Sequence, residues 1–354
     1  MSYRRPAAKS YAPTRHTQIH SQVQTPKLSP NQLAIQQSKA IQANISSISL
    51  FLAKYLSGRN NIVISPQPDS SGYSVGKRKL TGGQEIFEIN VPHWETYKLP
   101  LDDKSKYRIY RNGIWHEGQH IDSTPAQVYG YGVDKDMQVT EPLAHDVINI
   151  IEDRRIEDIG IEKWRGYSSE RLFSNGYAWT RRMDCGDFWK AYLEQHFDAS
   201  TNKYSTAGMF VTQRLGHMRH EAFLQRLLVM KIKGWDKLPI YERDLIEKEA
   251  RMVEQELAKI RRPKMSDKEI FEKLASLTLK VIHDLELKDY RPEITKVGES
   301  SWDQSFQSDP NVHRPEDEQQ TRQGIDDYFD ELLTVEVVCA DCGKHYTRKL
   351  GTRE

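Results

Sequence analysis

Between residues 31 and 57, Leu33, Ile41, Ile45, Ile48, Leu52 and Leu56 recur at mostly helical spacing, which predicts a helix. The Gly- and Pro-rich stretch 57–83 reads as a linker. From Glu85 to Val91, Ile86, Phe87, Ile89 and Val91 follow the imperfect alternation of a strand, and Pro92 ends it. After a polar turn at 102–106, a helix is expected from about Lys106 to Ile121. Residues 122–139, with Pro125, Gly130 and Gly132, read as a loop. Thr140 is a suitable N-cap, and Glu141 and Pro142 suit a first turn. Leu143, Val147, Ile148, Ile151 and Ile156 give that second helix its apolar face, with Gly160 placed to end it near Ile159. Further helices are expected at 187–197, 206–233, 240–262 and 267–288. The capping-box pair Ser266 and Glu269 opens the last of these. Residues 292–324 read as a polar linker, and Asp326–Val338 as a short helix and strand. The fold class implied is α+β, mainly α-helical with a small sheet.

Composition narrows this picture. The 354 residues suffice for one large domain or two modest ones, and 37% hydrophobic with 29% charged residues fits a soluble globular chain. No apolar run approaches the roughly 18 residues of a membrane span. Three cysteines, of which only Cys339 and Cys342 are close, argue against a disulfide framework and for a reducing, cytoplasmic setting.

The net charge of +1 conceals a polarity. No Asp or Glu precedes Asp69, whereas Glu316, Asp317, Glu318, Asp326, Asp327, Asp330 and Glu331 crowd the other end. Residues 1–30 read as a disordered basic tail. The basic segment 1–68 is a candidate for contact with nucleic acid or another anionic partner, and it also has marks of an organelle transit peptide.

The candidate chemistry lies in Trp115-His116-Glu117-Gly118-Gln119-His120, an H-E-x-x-H motif. On a helix, positions four apart share a face, so His116 and His120 can bind one metal ion while Glu117 reaches a reacting water as general base. A random chain of this length shows the motif about 3 times in 100, so its surroundings matter. A catalytic zinc needs a third protein ligand. The next helix offers Glu152 first. Asp153 is the close alternative, with Asn149 and Glu157 within a turn of it, and His145 lies two turns earlier on the face of Glu152.

H-E-x-x-H followed by N-x-x-E-D-x-R-x-E resembles the glutamate-type zincins. It is most similar to the metallopeptidase-like region of von Willebrand A-domain and cobaltochelatase-type proteins and their phage and archaeal relatives. The resemblance covers roughly residues 85–165. It implies a zincin fold, a zinc ion on His116, His120 and Glu152, Glu117 as base, and a protein or peptide substrate. It also implies that the strand at Glu85–Val91 is the sheet edge that holds extended substrate. The D-x-S-x-S pattern of a von Willebrand A domain is missing: Asp69-Ser70-Ser71-Gly72-Tyr73 lacks the last serine.

The organisation expected is a helix and linker at 31–83, a zincin-like core at 84–235, a helical extension at 236–290, a polar and acidic linker at 291–325 and a C-terminal segment at 326–354. That last segment carries a half zinc-ribbon knuckle, in which Cys339, Cys342 and His345 are candidate ligands of a second, structural zinc. His217, His220 and Glu221 are expected on a solvated helix face, and Tyr129 or Tyr131 is a candidate oxyanion donor. Two further functions stand beside hydrolysis: a zincin-like scaffold without turnover, and a nucleic-acid-associated or virion structural protein using the basic arm.

Overall fold

The computed structural model describes residues 30–68, 72–128, 141–205, 208–261, 264–292, 302–307, 315–338 and 345–349. Two units separate along the chain, 1–41 and 42–354, and the second holds the sheets and nearly every helix.

The chain runs through α1 (Pro30–Ser57), β1 (Ile62–Gln67), β2 (Ser74–Lys79), β3 (Glu85–Pro92), α2 (Asp103–Ser123), α3 (Glu141–Lys163), α4 (Ser168–Arg181) and α5 (Cys185–Tyr192). It continues through β4 (Phe197–Asp198), β5 (Lys203–Tyr204), α6 (Met209–Leu224), α7 (Ile240–Leu257), α8 (Asp267–Asp284), α9 (Pro315–Leu333), β6 (Thr334–Val338) and β7 (His345–Lys349). The fold is mainly helical with a small mixed sheet, as the sequence pattern predicts. The capping box forms as expected: the Ser266 hydroxyl accepts from the Glu269 N–H, and Glu269 accepts from the Ser266 N–H.

The sheet has the order β1-β3-β2, with β1 parallel and β2 antiparallel to β3. β3 is therefore the middle strand, which corrects its expected place at the edge. β1 and β2 arise within the stretch that reads as a linker. Pro66 sits in β1, a flanking strand, where a missing N–H is tolerated. Gly82 and Gly83, at φ of 112° and 84°, turn the chain between β2 and β3, a backbone conformation that favours glycine.

One apolar cluster joins Ile45 and Ala53 of α1, Ile62, Ile89 and Val91 of the sheet, and Ile109, Tyr110 and Ile114 of α2. A second joins Leu143, Val147, Ile150 and Ile151 of α3 to Phe223 and Leu224 of α6, Val253 of α7, and Leu274 and Val281 of α8. α2 thus belongs to one cluster and α3 to the other, and the two helices meet at the seam.

α3 does not end at Gly160 but continues to Lys163. Gly160 instead permits close approach: a Cβ there would lie 2.6 Å from the Trp115 ring and 2.9 Å from the Gln119 side chain of α2. The rotation of α3 is fixed from its far side. A π-helical turn, Gln225–Val229, leaves carbonyls without helical partners. Arg154 donates to Leu227 O at 2.7 Å, Asn175 to Leu228 O at 2.9 Å and Tyr328 to Val229 O at 2.9 Å. With Arg154 turned toward the Gln225–Val229 turn, Asp153 and Glu157 turn toward α2.

Within 292–324, read as a linker, the described residues 302–307 and 315–324 carry regular structure. Trp302 is buried at 3% exposure, a short 3₁₀ turn spans Asp303–Phe306, and α9 begins at Pro315. No helix among the described residues is long and apolar enough to cross a membrane.

Candidate metal centre

The N-cap Asp102 starts α2 by accepting from the Ser105 N–H at 3.0 Å, and the helix then buries every residue from Ile114 to Gln119. His116 and His120 fall one turn apart on the side facing α3. Their Nε2 atoms are 3.2 Å apart. Asp153 Oδ1 lies 3.4 Å from His116 Nε2 and 3.2 Å from His120 Nε2. Three donors, each about 2.0–2.1 Å from a tetrahedral zinc, stand about 3.3 Å from one another. The triangle formed here has those dimensions.

The hydrogen bonds behind the imidazoles decide what the triangle presents. Thr124 Oγ1 donates its one proton to Glu152 Oε1 at 2.6 Å, so at 2.9 Å it accepts from His120 Nδ1. Glu157 Oε1 accepts from His116 Nδ1 at 3.3 Å, and Arg171 Nε lies 2.7 Å from its other oxygen. Both neutral imidazoles then carry hydrogen on Nδ1 and a lone pair on Nε2. Two lone pairs and a carboxylate oxygen meet in a buried space, an arrangement that needs a cation between them.

Electrostatics agree. Burial alone would lower the His116 pKa, but Asp153 and Glu157 outweigh it and hold the imidazole well above its usual range. Burial works the other way on Asp153, yet the two histidines keep it down at about 2. The cluster therefore draws in positive charge, a proton or a metal ion. Its donor set of two imidazoles and a carboxylate suits zinc.

Glu152, the first candidate for third ligand, is replaced in the triangle by its neighbour. Both its oxygens accept from Arg155, at 2.6 Å from Nη2 and 2.6 Å from Nε, and it is fully buried. It acts through Thr124 on His120 instead. Asp153, the alternative, takes the position, and His145 does not join it: its ring meets the Asn149 amide at 3.2 Å. Sequence reasoning missed Thr124, Arg155 and Arg171. A signal for Thr124 exists, since it stands four residues after His120.

Glu117 is buried beside His116, outside the triangle. Burial raises its pKa, while His120 and His116 pull the other way. A cavity of about 30 Å³, room for about one water molecule, opens beside it. His116, Glu117, Asn112 and Glu157 give its polar wall; Tyr73, Ile109, Trp302 and Phe306 give its apolar one. Gly113 is needed here, because a Cβ would lie 2.7 Å from the Tyr73 ring.

The remaining candidates fall elsewhere. His220 and Glu221 are buried, not solvated: His220 Nε2 lies 2.9 Å from Asp146 Oδ2, and Arg182 Nε donates to Glu221 at 2.7 Å. The His217 ring stacks on Tyr290. Thr140, Tyr129, Tyr131, Cys339 and Cys342 lie outside the described residues, as do the basic residues 1–29 and the side chain of His345. β6 and β7 pair antiparallel on either side of 339–344. No family model, curated protein or solved structure matches the chain.

Proposed function

We propose that the chain is a zinc-dependent metallopeptidase with His116, His120 and Asp153 as the metal ligands and Glu117 as the general base. The observation that carries this reading is the triangle of 3.2, 3.2 and 3.4 Å between two Nε2 lone pairs and a carboxylate oxygen, backed by separate hydrogen bonds to each Nδ1. When bound, zinc would supply Lewis acidity toward a water and toward a peptide carbonyl.

The protein's own groups do the rest. Glu117 stands next to a ligand without being one, in a site dry enough to raise its proton affinity. It takes a proton from the attacking water and returns it to the departing amine nitrogen. Glu157 and Thr124 keep the imidazoles oriented throughout, and Arg171 and Arg155 neutralise the acids behind them. With β3 in the middle of its sheet, the flanking strand β2, which leads out of Tyr73, is the better placed of the two to meet an extended peptide.

A second reading, a zinc-held scaffold without turnover, is favoured by one observation: the space of about 30 Å³ beside Glu117 has room for about one water molecule and not for a peptide. Peptide turnover separates the two. Purified, zinc-loaded protein should cleave a mixed peptide library, and Glu117→Gln should keep the zinc and lose the cleavage. Stoichiometric zinc with no cleavage by the wild type would favour the scaffold.

A further inference from the structure

The wall of the Glu117 cavity comes partly from a distant segment. Trp302 and Phe306 line it together with Ile109 and Gly113, and their rings pack together with centroids 5.1 Å apart. The short turn that carries them is tied down as a peptide is tied down in a cleft. Tyr97 donates its hydroxyl to the Phe306 carbonyl at 3.0 Å, and Arg182 Nη1 donates to Ser305 Oγ at 3.1 Å. The Phe306 ring rests against Tyr177 at 6.2 Å.

Behind the turn stands an aromatic wall. Tyr73, Tyr97 and Tyr110 meet edge to face at centroid separations of 5.8–6.2 Å. The turn leaves about 30 Å³ beside Glu117, and a peptide bond with its flanking side chains is several times larger. Substrate entering on this side must take the room that Trp302 and Phe306 now fill.

We infer that the Trp302–Phe306 turn is an internal stand-in for substrate, and that the site takes peptides with an aromatic side chain in the place of Phe306, their carbonyl receiving the Tyr97 hydroxyl. This inference rests on the peptidase reading. Phe306 packs against the apolar cluster that holds Tyr97, Tyr110 and Tyr177, and its ring partner outside the turn is Tyr177, so a ring from another peptide finds the same apolar surface and the same partner. The occupied state taxes the apparent affinity of any substrate by the fraction of molecules in which the turn is displaced.

The test uses full-length, zinc-loaded wild type, Phe306→Ala and Ser305→Ala. Ser305→Ala removes only the bond from Arg182 and guards against a Phe306 variant that fails to fold. Two rates are measured: zinc transfer to a chromogenic chelator, and hydrolysis of peptides that differ only in carrying Phe, Ala or Glu at one position. Both variants should hold zinc at the wild-type ratio, release it to chelator about tenfold faster and cleave the Phe peptide about tenfold faster. The Phe peptide should exceed the Ala and Glu peptides in every protein. Full zinc with both rates unchanged would overturn the stand-in and leave the peptidase standing. Equal cleavage of the Phe, Ala and Glu peptides would overturn the aromatic preference. Absence of zinc from the wild type would remove the peptidase reading and this inference with it.

Discussion

Glu152 and Asp153 adjoin in the chain, yet their carboxylates meet different partners: Asp153 faces the two imidazoles, and Glu152 faces the Arg155 guanidinium. A residue step of about 100° on a helix is enough to separate a ligand from its support. Substitution should separate them as well. Asp153→Asn is expected to abolish stoichiometric zinc in elemental mass spectrometry, as is His120→Ala. Glu152→Gln should still bind zinc, but should lose about 3–5 kcal/mol of stability in denaturant titration, because Arg155 is left buried without its counter-charge. Loss of zinc in Glu152→Gln with retention in Asp153→Asn would reverse the assignment. All proteins should lack residues 337–354, so that the cysteine pair contributes no metal.

In the proposed mechanism Glu117 has a purely chemical role. Its replacement by Gln keeps size and hydrogen bonding but removes the base. Peptide turnover should fall about 10²–10⁴-fold while zinc content stays at the wild-type level. Full activity in this variant would sink the mechanism.

Thr124 links His120 of the candidate metal centre to the Glu152–Arg155 pair through one hydroxyl. Thr124→Val keeps the shape and removes the link, so His120 loses the acceptor that fixes its tautomer. Zinc affinity in competition with a chelator should weaken about 10–100-fold with little change in circular dichroism. An unchanged affinity would mean that His120 is oriented by packing alone.

Gly160 is a matter of fit. Gly160→Ala improves helix propensity in α3, yet its methyl would meet Trp115 and Gln119 closer than 3.0 Å. The steric effect should dominate and cost about 1–3 kcal/mol. A gain in melting temperature would show that the helices can part without penalty.

The pH dependence of stability should report on Glu221. Burial pushes its pKa up, but Arg182 and Gln225 prevail and hold it below the ordinary 4.5. A depressed folded-state pKa contributes stability that is present above 4.5 and lost as pH falls through the folded value. Melting temperature should therefore drop more steeply below pH 4.5 in wild type than in Glu221→Gln, which starts lower at neutral pH. Parallel curves would place the acid-sensitive group elsewhere.

The helical character and the two imidazoles were legible because each rests on local spacing: His116 and His120 share a helix face whatever surrounds them. The choice between Glu152 and Asp153 was not legible. It depends on the rotation of α3, which Arg154 sets by reaching the Leu227 carbonyl, a contact between residues far apart in the chain. β1 and β2 were hidden among Pro66, Gly72 and Gly76, residues that usually mark loops. The Trp302–Phe306 turn has too few residues for any period to show, and its neighbours are polar. His220 and Glu221 look solvated because the sequence does not display Asp146 and Arg182, which stand beside them in the fold.

The seam between the two apolar clusters sets a timetable. α3 carries Asp153, and its apolar side is completed by Leu274 and Val281 of α8, more than a hundred residues later. On a ribosome delivering about 5–20 residues per second, the three donors exist as polymer several seconds before the scaffold that aims them. A nascent chain halted ahead of α8 would carry the whole motif in its sequence and hold it in no fixed arrangement.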